Sequence, residues 1–117
     1  MKAQKRTIPL ISRKMRARAE TLRQIMLNVS GADAKENTRR RPVVIARAMV
    51  AYALLSEGMT TIQVGALLGK DHSTIVHYFQ LTVTFLSSPG YEAERELLND
   101  FADAVRMADG EKETGQI

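Results

Sequence analysis

Breaks at short intervals constrain this chain more than any other feature. Glycine or proline stands at Gly31, Pro42, Gly58, Gly69 and in Ser87-Ser88-Pro89-Gly90, and between these points apolar residues recur with helical spacing. Ile11, Met15, Ala19, Leu22, Ile25, Met26 and Val29 predict a first helix that Gly31 ends. Its first turns carry Arg13, Lys14, Arg16 and Arg18 with few acids to suit the helix dipole, so they are expected to be exposed and mobile. Residues 32–41 have no apolar period and read as a loop ending in Arg39-Arg40-Arg41. Pro42 suits the first position of a second helix, whose stripe is Val44, Ile45, Ala48, Met49, Tyr52 and Leu55, with Arg47 on the opposite face and Gly58 at the end. Thr60-Thr61-Ile62-Gln63 is a capping box that opens a short third helix, about 61 to 68. Gly65 lies inside it at a cost of roughly 1 kcal/mol relative to Ala; the close approach of a crossing helix is the simplest compensation. A turn at Gly69 and Lys70 leads to a fourth helix, about 72 to 86, with Ile75, Val76, Phe79, Val83 and Leu86 as its apolar face. The last helix, about 91 to 108, uses Tyr91, Leu97, Leu98, Phe101, Ala104 and Val105.

Five helical segments and no strand signal give an all-α helical bundle. The low aromatic content and the scarcity of Gly and Pro agree with it. The expected organisation is a flexible basic arm over residues 1–10, a single helical domain over 11–109 and a polar tail over 110–117. With 117 residues the chain can bury a real but modest core. The absence of cysteine excludes disulfides, thiolate metal sites and cysteine nucleophiles. The N-terminus lacks the apolar run of a signal peptide, and no segment approaches the ~20 apolar residues that cross a bilayer. A cytoplasmic protein with no membrane partner is expected.

Charge is distributed unevenly. Residues 1–47 hold 13 of the 17 Lys/Arg against three acids, a net +10, whereas residues 48–90 net −1 and residues 91–117 net −5. A basic half joined to an acidic last helix points to a polyanion bound on one side only.

The run Gly69-Lys70-Asp71-His72-Ser73-Thr74-Ile75-Val76-His77-Tyr78 is where that partner would be read. Asp71 is an N-cap, and small polar groups crowd the first turn of the helix behind it. A short helix, a glycine-containing turn and a second helix form the helix-turn-helix pattern. In that pattern the tip of the second helix enters the major groove of duplex DNA. There Asp accepts from cytosine N4, while Ser and Thr meet several base edges. The arginine run upstream suits phosphates or the neighbouring minor groove. His72 shares a side with Ile75 and Phe79, so it must reach past the helix end to touch DNA. His77 lies on the polar face with Ser73, Gln80 and Thr84, where it can meet a phosphate.

The stretch Lys70-Asp71-His72-Ser73-Thr74-Ile75-Val76-His77 resembles the signature of the C-terminal DNA-binding domain of the bacterial replication initiator DnaA. Arg40-Arg41, Val44-Ile45-Ala46-Arg47 and Tyr52 resemble that family's basic loop and following helix, and Val64-Gly65 its Ile-Gly pair. The likeness covers roughly residues 22 to 82. It implies packed helices with an extended helix-turn-helix related to the Trp repressor, binding double-stranded DNA. Carried over by position, Asp71, His72 and Ser73 read bases, and Lys70 and Thr74 touch the backbone. Arg39, Arg40, Arg41 and Arg47 form the basic-loop side, and Thr60 and Thr61 lie near phosphate. The chain departs from the family pattern in several places. Ser73 stands where the family has Thr, Phe79, Gln80 and Leu81 replace its basic residues, the turn before Lys70 is shorter than in many members, and Ile45 falls where some members place a minor-groove arginine.

The family's ATPase domain is missing from this sequence. The stretch from Gly65 to Asp71 has three residues between its glycines and Asp after Lys, so it is no phosphate loop. The two histidines are five residues apart and lack the geometry of a metal pair on one helix face, and no catalytic constellation is evident. The expectation is a stand-alone DNA-binding module or a fragment of something larger, not an enzyme, with no metal or other cofactor, acting in replication or regulation. The competing expectation is a protein-interaction module in which the acidic last helix and the long first helix meet a partner or a second copy and the helix-turn-helix is scaffold.

Overall fold

The computed structural model describes residues 10–114, which form five α-helices with no strand among the described residues. α1 spans Arg13–Ser30, α2 Arg41–Ser56, α3 Thr61–Leu68, α4 His72–Ser87 and α5 Glu92–Thr114. The fold is an all-α bundle, and none of the helices is long and apolar enough to cross a membrane. Of the expected basic arm only Leu10 is among the described residues; its carbonyl accepts from Gln63 Nε2 at 3.2 Å. The expected polar tail does not begin at residue 110, because α5 continues to Thr114.

Each helix start has a local cause. Ser12 caps α1 by accepting from the Met15 N–H at 3.0 Å. The Thr60 hydroxyl accepts from the Gln63 N–H at 3.1 Å while Gln63 Oε1 accepts from the Thr60 N–H at 2.9 Å, the reciprocal pair of a capping box. Gly31 and Gly69 end α1 and α3 in the left-handed region, with φ of 76° and 70°.

α2 is the central helix. The single stripe expected for it is corrected: Ala46, Val50, Ala51 and Leu54 are as completely buried as Ala48 and Met49. The cause is that α1, α3 and α4 all pack on it. α1 does not project away. Leu22 and Met26 are fully buried against the bundle, each worth about 1.5–3 kcal/mol of apolar burial. Nor are all the basic residues of its first turns open to solvent. Arg18 Nε and Nη2 reach Glu57 at 2.8–3.1 Å, and its Nη1 and Nη2 reach Asp109 at 2.9 Å. One guanidinium thus joins α1, the end of α2 and α5, and the two carboxylates hold it firmly charged.

α4 presents a different face to the core from the one its hydropathy suggests. Ile75, Tyr78, Thr82 and Phe85 are buried, whereas Val76, Phe79, Val83 and Leu86 are 38–41% exposed. Both stripes have helical spacing. The buried one contains two hydroxyls that are satisfied inside: Thr82 Oγ1 donates to the Tyr78 carbonyl at 3.0 Å, and Tyr78 Oη accepts from Arg47 at 3.3 Å. Arg95 on α5 closes the far end of α4 by donating to the Phe85 and Ser88 carbonyls at 2.8 and 2.9 Å.

Candidate nucleic-acid interface

α3 and α4 are joined by a turn of Gly69, Lys70 and Asp71. The turn folds back on α3 so tightly that the Lys70 N–H bonds the Gly65 carbonyl at 2.8 Å. A Cβ on Gly65 would stand 2.5 Å from the Lys70 carbonyl oxygen. The compensation for Gly65 is therefore this turn and not a crossing helix, as the sequence suggested. The contact fixes where the tip of α4 points.

At that tip, Asp71 Oδ1 accepts both from the Thr74 N–H at 3.0 Å and from the Ser73 hydroxyl at 2.8 Å. These bonds hold the Asp71 carboxyl below the usual carboxylate range, the backbone bond to Thr74 first and the Ser73 hydroxyl second. Both of these bonds fall on Oδ1, and the Thr74 side chain adds a third, smaller stabilisation of the carboxylate. Cap and reader are compatible roles for one carboxylate. Asp71, His72 and Ser73 are all exposed, and Thr74 is half-buried. Because the folded-state pKa is lowered, the cap's contribution is full above the ordinary carboxylate value and is lost as pH falls through the lowered one. Asn caps a helix without titrating. Thermal melts of the parent and Asp71→Asn are therefore expected to show any advantage of the parent vanishing as the pH drops below about 4.

Arg47 leaves the set of surface candidates. It is 4% exposed, and its guanidinium donates to the carbonyls of Ala34, Glu36 and Thr38 and to Tyr78 Oη. The expectation that it faces away from the apolar stripe toward phosphate is corrected, because α2 is surrounded and has no outer face there. Arg47 instead docks the loop over residues 34–38 against the second turn of α4. That loop leads directly into Arg39, Arg40 and Arg41, all exposed. Arg40 pairs with Glu36 at 3.1 Å in solvent, where such a pair is weak and exchangeable, and Arg41 pairs at 3.3 Å with the partly covered Glu94 of α5.

The remaining candidates divide. Lys70 is half-buried beside the tip and His77 is exposed on the polar face of α4 with Ser73 and Gln80. Thr60 is exposed but its hydroxyl is engaged in the capping box. Thr61 is half-buried and lines an apolar notch with Leu55, Val76 and Phe79.

Two basic residues outside the candidate set lie close to the turn. Arg16 of α1 and Lys35 of the loop line a shallow groove of about 240 Å³ together with Leu67 and Leu68, the residues just before Gly69. Both are exposed. Arg23, in the same groove, is held by Glu20 and by Asp33 and contributes less free charge. The basic character of α1 is visible in the sequence. Its position beside the turn is not, since Arg16 and Leu67 are far apart along the chain.

No family model, no curated protein and no solved structure matches this chain.

Proposed function

We propose that this protein binds double-stranded DNA with a sequence preference, placing the tip of α4 in the major groove. The observation that carries the reading is the tip itself. Asp71, His72 and Ser73 stand exposed at the start of a rigidly aimed helix, with a basic loop docked against the same helix. The resemblance of Lys70 through His77 to the DNA-binding domain of the replication initiator supports it. In this reading Asp71, His72 and Ser73 meet base edges, and Lys70, Thr74, His77, Thr60 and Thr61 lie near the backbone. Arg39, Arg40 and Arg41 take phosphates or the minor groove, and Arg16 and Lys35 extend the phosphate contacts along α1. A role in replication or regulation is the matching biological context.

Selection of bound duplexes from a random pool, followed by titration of the best one, tests the proposal. Five phosphate contacts, from Arg16, Lys35, Arg39, Arg40 and Lys70, give an expected slope of log binding constant against log salt of about −4 to −5. Asp71→Ala and Ser73→Ala are each expected to relax base preference by about 1–3 kcal/mol at the base pair that the side chain reads. Arg39→Ala is expected to weaken all duplexes alike and to flatten the slope by about 1. Failure to retard any duplex at low salt refutes the reading. The exposed apolar flank of α4 favours a second reading, a protein-interaction module.

A further inference from the structure

Among the described residues, that flank is an exposed apolar stripe that DNA binding leaves unused. Val76, Phe79, Val83 and Leu86 are 38%, 41%, 38% and 41% exposed. They are spaced three, four and three residues apart, the a–d–a–d seam by which one helix packs on another. The seam lies beside the polar face of Ser73, His77, Gln80 and Thr84, not on it. No Asp, Glu, Lys or Arg occurs anywhere from His72 to Ser87, although 26% of the chain is charged. A charged peptide therefore finds no counter-charge on this helix. A surface that meets its own copy, by contrast, has no like charges to bring together.

We propose that the seam pairs with the same seam of a second copy of this chain, antiparallel and about a two-fold axis. The register is self-complementary. Centring the axis beside residue 81 sets Val76 opposite Leu86 of the second copy and Phe79 opposite its Val83, so each pair joins a β-branched side chain to a longer one. The surroundings fit this register. Val76 and Phe79, with Leu55 and Thr61, border an apolar notch of about 260 Å³. Leu86 of the second copy falls opposite that notch and enters it as a knob. Phe79 is stacked on Tyr52, with ring centroids 5.5 Å apart, and so stands preorganised at the middle of the patch. At the other end Leu86 borders a groove of about 470 Å³ that Tyr52, Leu98 and Val105 also line, and this groove receives Val76 of the second copy. Antiparallel helices also set their dipoles favourably. One helix seam with its two recesses is a small contact compared with the roughly 800 Å² per partner of a stable interface, so the pairing is a concentration-dependent equilibrium. It requires no DNA and stands whether or not DNA is bound.

Sedimentation equilibrium of the full chain without DNA, from 5 µM to 1 mM, tests it. The expected weight-average mass rises from 13.0 kDa toward twice that value. Val83→Glu is expected to hold the chain monomeric throughout, while Thr84→Glu on the polar face leaves the rise unchanged; circular dichroism of each variant verifies that the fold is kept. Because the chain has no cysteine, register is read directly. Mixing Val76→Cys chains with Leu86→Cys chains is expected to give the mixed disulfide in preference to either like pair. A mass that stays at 13.0 kDa to 1 mM overturns the proposal. So does a rise that Val83→Glu leaves intact or that both glutamate variants abolish equally, and so does a preference for like-pair disulfides.

Discussion

Arg47→Lys is expected to lower the stability of this protein by roughly 2–4 kcal/mol, the scale of several charge-assisted hydrogen bonds left unmade, and to lower the melting temperature by roughly 10–15 °C. Arg47 Nε and both terminal nitrogens donate, to Ala34 at 3.1 Å, to Tyr78 at 3.3 Å, and to Glu36 and Thr38. Lysine keeps the charge but offers one nitrogen on a narrower stem, so it cannot serve three carbonyls and a phenol together. The carbonyls of the loop would be left short of donors near the core, and the loop would part from α4. A phosphate contact behaves differently, since lysine also binds phosphate, as a point charge, and an exposed contact adds little to stability. The measurement is thus diagnostic: a lysine variant as stable as the parent would show that Arg47 does not hold the loop. On the proposed function, binding of every duplex by the folded variant is expected to weaken together, because the loop leading to Arg39, Arg40 and Arg41 has no anchor.

Gly65→Ala is the second large effect, and its sign is opposite to the usual one. In the middle of a helix this change ordinarily gains about 1 kcal/mol. Here the new methyl stands 2.5 Å from the Lys70 carbonyl oxygen, which is backbone and is held by the bond from the Lys70 N–H to the Gly65 carbonyl. The turn must shift, at an expected cost of about 1–3 kcal/mol as for other overpacked sites. The shift also re-aims the first turn of α4. On the proposed function, the variant below its melting temperature is expected to bind the best duplex at least about tenfold more weakly than the parent, the equivalent of removing one base-reading side chain. Calorimetry and a binding titration on the same sample separate the two effects. An alanine variant with unchanged or raised stability would mean that α3 and the turn are not in contact as described.

The parts of this fold that are legible in the sequence are those set by neighbouring residues. The capping box at Thr60 and Gln63, the N-cap at Asp71 and the glycines ending α1 and α3 act within a few residues, and the helix starts follow from them. What sequence reading misses depends on partners distant along the chain. Arg47 reads as an outward residue on a helix with one apolar stripe, and only the packing of α1, α3 and α4 around α2 shows that it has no outward side. On α4 the more hydrophobic stripe is the natural choice for the core. The other stripe tolerates burial because Arg47 meets the Tyr78 hydroxyl and Thr82 bonds back to its own helix, which hydropathy does not register. At the candidate site the identity of the tip is legible from residue types alone. The neighbourhood of Arg16 and Lys35 is not, because it arises from the docking of α1 beside the turn.

The clamp at Arg18 bears on the order in which the chain assembles. The helices of the turn are local in sequence and close quickly around α2, as short-range contacts do. α1 precedes them but takes one of its carboxylate partners, Asp109, from the opposite end of the chain, 91 residues later. Until α5 has been synthesised and seated, the guanidinium lacks that partner and α1 lacks the helix that packs along it. α1 thus has two supports, the central α2 and the acidic α5, and Asp109 is the latch by which α5 holds it.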